Sequence, residues 1–347
     1  MSDNEVINME TDGKLQDETI SNSACSIREK TDGYMKNTVR EKDVWEGKPR
    51  RRDIRMIALD LDGTALNKEM KVTERTAEAL EEAARRGIQV IIATGRTYHT
   101  LPEQLFEIDG LKYAVTSNGA VINELKTGKV IYRNCIPAAA VEQAAEILKG
   151  RFSCSDPAIC SENGGCGEPA KAFSEISVEV FTEGNAYLEK AELDDIRKNG
   201  SSYRNALYVS TTRKPAEGIL NFMLAHRDRI ENICLNFPDV SLRPVWKQRL
   251  SVLPEVTLTT SLPYNLEIGG TTVSKAEALR FLMKETGIKP AQLMACGDSQ
   301  NDAAMIRLAG LGIVMKNSSD EMKEIADYVT DSNETEGVTK AIENFIL

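Results

Sequence analysis

Histidine is nearly absent: His99 and His226 are the only two among 347 residues. Acid–base or metal chemistry built on imidazoles therefore has little to work with. No apolar run approaches the roughly 18–20 residues of a membrane span, and the start lacks the apolar stretch of a secretory signal. Basic residues are outnumbered, 43 Lys and Arg against 53 Asp and Glu, for a net charge of -10. That balance argues against a generic nucleic-acid binder, which must neutralise phosphates with cations. It leaves a phosphorylated small molecule open, because a local metal or Lys can hold one. The seven Cys include no CxxC pair, and an odd, scattered set reads as reduced thiols in an intracellular compartment. The expectation is a soluble, cytoplasmic protein without membrane or nucleic-acid partners. Composition leaves its oligomeric state open.

What the chain does have is 41% hydrophobic residues, enough for real cores, and a length suited to two domains or one domain with an insertion. Residues 1–53 are polar, with apolar residues at neither helical nor strand spacing, and read as a disordered extension. From Ile54 the pattern sharpens. Ile54 to Leu59 is a buried-strand run ending in Asp60-Leu61-Asp62-Gly63-Thr64. Ala77, Leu80, Ala84 and Ile88 follow at helical spacing, with Gly87 at the helix end. Strand Gln89–Ala93 leads into Thr94-Gly95-Arg96, and strand Tyr113–Val115 into Thr116-Ser117-Asn118-Gly119. This is the grammar of a doubly wound α/β fold with a parallel sheet.

Between about 135 and 264 the elements become short and mixed. We expect a helix near 139–149, strands at Ile176–Phe181, Ala206–Thr211 and around Val240–Arg243, and a helix near 217–228. This reads as an α+β cap inserted into the first domain, whose core spans 54–134 and 265–347. Parallel-sheet grammar then returns. Ser274 and Glu277 form a capping box around Lys275, and Leu293–Cys296 runs into Gly297-Asp298-Ser299-Gln300-Asn301-Asp302.

The polar clusters share one place, the carboxyl ends of parallel strands or the start of the following helix, where open α/β sheets bind ligands. Asp60, Asp62, Asp298 and Asp302 would repel one another there by roughly 1–4 kcal/mol per pair at ~4 Å. A hard divalent cation relieves that repulsion, and oxygen-only ligation favours Mg²⁺. With its charge screened, an Asp can attack a phosphate, while its neighbour serves as acid and then base. Lys275, the Thr94 hydroxyl and the Gly95 N–H suit phosphoryl oxygens.

Asp60-Leu61-Asp62-Gly63-Thr64, Thr94-Gly95-Arg96, Lys275 and Gly297-Asp298-Ser299-Gln300-Asn301-Asp302 together resemble the four motifs of the haloacid dehalogenase superfamily, and more narrowly its Cof-type phosphatases with a large α+β cap. The resemblance covers about residues 54–347, and Ser117-Asn118-Gly119-Ala120 supports the subgroup. It implies Asp60 as nucleophile and metal ligand, and Asp62 as acid/base lending its backbone carbonyl to the metal. Asp298 would complete the ligands and Asp302 support their water shell. Leu61, Thr94, Gly95, Lys275 and Asn301 would hold the phosphate, with Arg96 and Asn118 on the substrate side. The chain departs from the pattern at Ala276 and Lys316, where such phosphatases often carry Gly. The implied activity is Mg²⁺-dependent hydrolysis of a small phosphorylated metabolite, a sugar phosphate or phosphorylated cofactor. A sugar phosphomutase and a non-catalytic phosphometabolite binder are the alternatives. Cys154, Cys160 and Cys166 read as free thiols of a cap loop. Arg213, Lys214, Arg243, Lys247 and Arg249 are candidates for reading the leaving group, most of them expected in solvent.

Overall fold

The computed structural model describes residues 53–150 and 176–347. The expected extension, apart from Asp53, and the cysteines at 154, 160 and 166 lie outside the described residues. Among the described residues no helix is long and apolar enough to cross a membrane.

Two sheets organise the chain. The first begins with β1 (Met56–Leu59), α1 (Glu74–Arg85), β2 (Gln89–Ala93), β3 (Leu111–Thr116), β4 (Val121–Glu124) and β5 (Val130–Arg133). Next come α2 (Ala138–Lys149), β6 (Ser177–Thr182), β7 (Asn185–Glu189), α3 (Lys190–Asn199), α4 (Ala206–Thr212), β8 (Arg213–Ala216) and α5 (Ile219–Ala225). The second sheet is completed through β9 (Ile230–Asn236), α6 (Arg243–Leu250), β10 (Val256–Thr259) and β11 (Asn265–Gly270). The chain then re-enters the first sheet with α7 (Lys275–Thr286), β12 (Leu293–Gly297), α8 (Ala303–Leu308), β13 (Leu311–Val314), α9 (Asp320–Ile325), β14 (Tyr328–Val329) and α10 (Gly337–Phe345).

The first sheet has the order β14-β13-β12-β1-β2-β3-β4-β5, parallel from β14 to β3, with β4 and β5 added antiparallel. Alternate residues of a strand point to opposite faces. In β1, Ile57 and Leu59 therefore join one apolar layer with α1 and α10, and Met56 and Ala58 join the other with α7 and α8. This makes three layers, α/β/α. The strand order reverses between β1 and β12, which pair directly. A crevice opens at the carboxyl ends of such a pair, and Asp60 and Asp298 stand immediately after those two strands.

The second sheet, β10-β11-β9-β6-β7-β8, is the cap. Val178 and Val180 of β6, Ile233 and Leu235 of β9, and Leu266 and Ile268 of β11 bury one face with α2, α5 and α6. The alternating residues, Glu179 and Phe181, Cys234 and Asn236, Asn265 and Glu267, line a cavity against the first sheet. Asn265–Gly270, expected in the core, is thus a cap strand, and the return crossing follows Gly270.

Two expected strands are helical. Ala206–Thr212 has the β-branched composition of a strand, yet Asn205 caps it as a helix by accepting the Tyr208 N–H at 3.0 Å. The hydroxyls of Thr211 and Thr212 turn back onto the carbonyls of Leu207 and Tyr208, a local alternative to ladder bonds. At 240–243, Asp239 accepts the Ser241 N–H at 2.9 Å, and Pro244 in the first turn starts α6.

Candidate active site

β1 stops at Leu59, although the Asp60 N–H still reaches the Cys296 carbonyl at 3.0 Å. Beyond it the chain folds back, the N–H groups of Thr64 and Leu66 both returning to the Leu61 carbonyl. Gly63 makes that reversal possible. Its φ is +80°, and a Cβ there would lie 2.5 Å from a carboxylate oxygen of Asp298. Asp60 turns to Lys275 and Asp62 to Arg96, and both line one cavity.

Asp60 is buried and accepts from the Lys275 ammonium at 2.6 Å. The same ammonium donates at 2.6 Å to Asp302, and no part of Lys275 is exposed. Ser274 caps α7 by accepting the Glu277 N–H at 3.2 Å, while the Glu277 side chain turns to Arg280, so half of the expected capping box forms. A cation in a first helical turn opposes the helix dipole. Here the two carboxylates hold it there. Burial works to lower the Lys275 pKa, but the charges of Asp302 and Asp60 keep it above its ordinary value.

Asp302 is fully engaged, its other oxygen accepting the N–H groups of Asp298 and Ser299 at 3.0 and 3.1 Å. Carboxylate oxygens of Asp60, Asp298 and Asp302 lie within 4.8 Å of one another. Burial, then the charge of Asp302, raises Asp60 well above the usual carboxylate range and pushes Asp298 up to about 7. Three close carboxylates with one ammonium, and only oxygen donors, suit a hard divalent cation.

Asp62 lies outside that trio. Arg96 holds it in a two-pronged fork at 2.6 and 2.8 Å. Arg96, expected on the substrate side, is therefore the partner of Asp62. Gly95, Arg96 and Asn301 line the cavity with Asp60, Asp62 and Asp298, whereas Leu61, Thr94 and Lys275 are buried around it. The Thr94 hydroxyl accepts the Arg96 N–H at 3.2 Å.

Asn118 joins three parts of the molecule. It sits at φ 58° in a tight turn after β3, with Ser117 also at positive φ. Its side chain accepts from Asn301 at 3.0 Å and donates to Glu267 of the cap. Ser117 donates to Glu231 at 2.9 Å. Burial raises the pKa of both glutamates. The sequence reading missed Glu179, Glu231 and Glu267. For Glu179 and Glu267 a signal was present, since each follows a polar residue, Ser177 and Asn265, by two positions in an otherwise apolar segment; Glu231, directly before Asn232, breaks that alternation.

The cavity between the sheets measures about 400 Å³. On its cap side, Glu179 accepts from Arg213 at 2.8 Å and lies 3.3 Å from Arg204. Burial opposes ionisation of Glu179, but Arg213 and then Arg204 bring its pKa below the ordinary value. Two guanidiniums approach the Tyr208 ring, that of Arg96 at 4.5 Å and that of Arg213 at 4.7 Å from its centroid. Of the five basic cap residues considered from sequence, Arg213 lines the cavity; Arg243 bonds the Pro263 carbonyl and Arg249 lies over Trp246. Lys316 is exposed and Ala276 is buried in the core.

A family model described as haloacid dehalogenase-like hydrolase matches residues 57–342. The 5-amino-6-(5-phospho-D-ribitylamino)uracil phosphatase YcsE of Bacillus subtilis is 28% identical over 295 residues, 85% of this chain and 97% of the relative. A phosphoglycolate phosphatase of Methanobrevibacter smithii is 24% identical, over 85% of this chain and all of the relative. The solved structure of a haloacid dehalogenase-like hydrolase from B. subtilis superposes with a TM-score of 0.65 at 27% identity, covering 85% of this chain and all of that one.

Proposed function

The chain belongs to the haloacid dehalogenase-like hydrolases, and from that membership we propose that it is a Mg²⁺-dependent phosphatase of a small phosphorylated metabolite. The observation that carries this reading is the buried Lys275 ammonium between Asp60 and Asp302, with Asp298 close by, at the sheet's switch point and under the cavity. Two relatives named as phosphatases, one of a ribitylaminouracil phosphate and one of phosphoglycolate, support a small phosphate ester as substrate.

In this reading the carboxylates of Asp60 and Asp298 and the backbone carbonyl of Asp62 would hold Mg²⁺, with Asp302 fixing the loop and Lys275 behind them. When bound, the ion screens the charge between Asp60 and the incoming phosphate. An Asp60 oxygen forms a bond to phosphorus as the bond from phosphorus to the leaving oxygen breaks, and Asp62 gives that oxygen its proton. Water then attacks the aspartyl phosphate, Asp62 takes the proton back, and phosphate leaves. A protonated carboxyl cannot accept fully from both prongs of Arg96, so Arg96 holds a single oxygen while Asp62 carries the proton, gains the second as Asp62 gives that proton up in the first half-reaction, and releases it again when Asp62 takes the proton back. Thr94, the Leu61 and Gly95 N–H groups, Lys275 and Asn301 surround the phosphoryl oxygens.

A phosphomutase needs a second basic, phosphate-binding pocket in the cap. The ion pairs of Arg204 and Arg213 with Glu179 weigh against one. Asp60→Asn is expected to abolish Mg²⁺-dependent p-nitrophenyl phosphate hydrolysis with an unchanged circular dichroism spectrum. Retained turnover refutes the assignment.

A further inference from the structure

The chemistry of the cavity floor is common to any phosphate ester, so selectivity must come from the cap face above it. Among the described residues lining the cavity, Arg213 and Asn236 each hold a buried nitrogen with no hydrogen-bond partner, Nε of Arg213 and Nδ2 of Asn236. The Arg213 side chain is 9% exposed and Asn236 4%. Both atoms are donors. Buried donors are rarely left unpaired, and each such case calls for a cause.

The two share one side of the sheet. Arg213 reaches Glu179 on β6 at 2.8 Å, and Asn236 on β9 stands opposite Ser177 on the same strand, two residues from Glu179 and so on the same face. The other Arg213 prong is used by Thr212 at 2.9 Å. The Tyr208 ring covers the guanidinium, and Phe181 and Tyr264 add flat apolar walls. The cavity is of a size that takes a small organic ligand.

We propose that this face is the leaving-group subsite and that it selects a planar group with oxygen acceptors, a ring carbonyl or a carboxylate, which receives the Arg213 and Asn236 donors once Tyr208 moves aside. The inference rests on the phosphatase reading and names its substrate class. A site with buried donors discriminates strongly against ligands that cannot satisfy them.

The test uses the Asp60→Asn protein, in which binding is read without turnover, titrated by calorimetry with three phosphates. These are 5-amino-6-(5-phospho-D-ribitylamino)uracil with ring carbonyls, phosphoglycolate with a carboxylate, and ribitol 5-phosphate with hydroxyls alone. At least one of the first two is expected to bind tenfold or more tightly than ribitol phosphate, and which one does so separates carbonyl from carboxylate. Arg213→Lys keeps a cation for Glu179 but loses the planar fork, and Asn236→Ala, the milder change, leaves that ion pair intact. Each should shrink the preference to under threefold while leaving ribitol phosphate within twofold. Equal binding of all three, or a preference that survives Asn236→Ala, overturns the subsite. Wild-type p-nitrophenyl phosphate hydrolysis reads the phosphatase assignment separately, because the subsite is judged on binding alone.

Discussion

Lys275 has two carboxylate partners and no exposed surface, so its charge is part of the balance of the folded state. Breaking a buried pair by removing one partner strands the other charge, at a cost of about 3–5 kcal/mol. Lys275→Met should lower stability by that order in urea denaturation of the metal-free protein. A loss under about 1 kcal/mol would mean that no charge is stranded there. At this scale the sequence was most informative about identity and least about orientation. Asp60, Lys275, Asp298 and Asp302 stand out as polar residues at strand ends. The pairing of Asp62 with Arg96 depends on where β1 stops and how Gly63 turns, a matter of close approach to Asp298 across 235 positions of sequence.

Among elements, the tight turn Ser117–Gly119 binds the site to the cap. Gly119 has φ +102°, and a Cβ there would lie 2.2 Å from the Ser274 carbonyl, the cap residue of α7. Gly119→Ala should cost about 1–3 kcal/mol of stability and lower turnover more than an equally destabilising core substitution, because relief of the clash displaces Lys275. Equal losses of activity at matched stability would detach the turn from the chemistry. The parallel strands were legible because they are continuous apolar runs ended by polar residues. The cap was less so. A helix capped by Asn205 prevailed over β-branched composition in α4, and β9 went unseen because Glu231, Asn232 and Asn236 interrupt its apolar pattern while all seven of its residues are buried. Of these three, Asn236 lines the cavity and Glu231 accepts from the Ser117 hydroxyl, tertiary roles that local periodicity cannot reveal.

For the whole molecule, the buried acids make stability depend on pH in a definite direction. The folded Asp298 carboxyl is held up to about 7, above the 3.8 of an exposed one, and Asp60, Glu231 and Glu267 shift the same way. The folded state therefore binds more protons than the unfolded one, and stability falls as pH rises from about 4 to about 7. Chelator-treated protein should show a urea midpoint that declines over that interval. Mg²⁺ should raise the midpoint more at pH 7.5 than at pH 5.5, since it binds the ionised acids. A midpoint that rises with pH in the chelator would show these carboxylates to be ionised without a cation.

The two connections to the cap lie side by side: the Asn134 amide donates to the Thr271 carbonyl at 3.1 Å. The core chain thus leaves and returns at nearly the same point, and a short splice could close it without moving β1, β12 or the acids between them. The inserted sheet is in this sense interchangeable. Evolution or a protein engineer can exchange one lid for another and redirect the same phosphate chemistry to a new ester, provided the incoming module supplies its own grip on the Ser117–Asn118 turn.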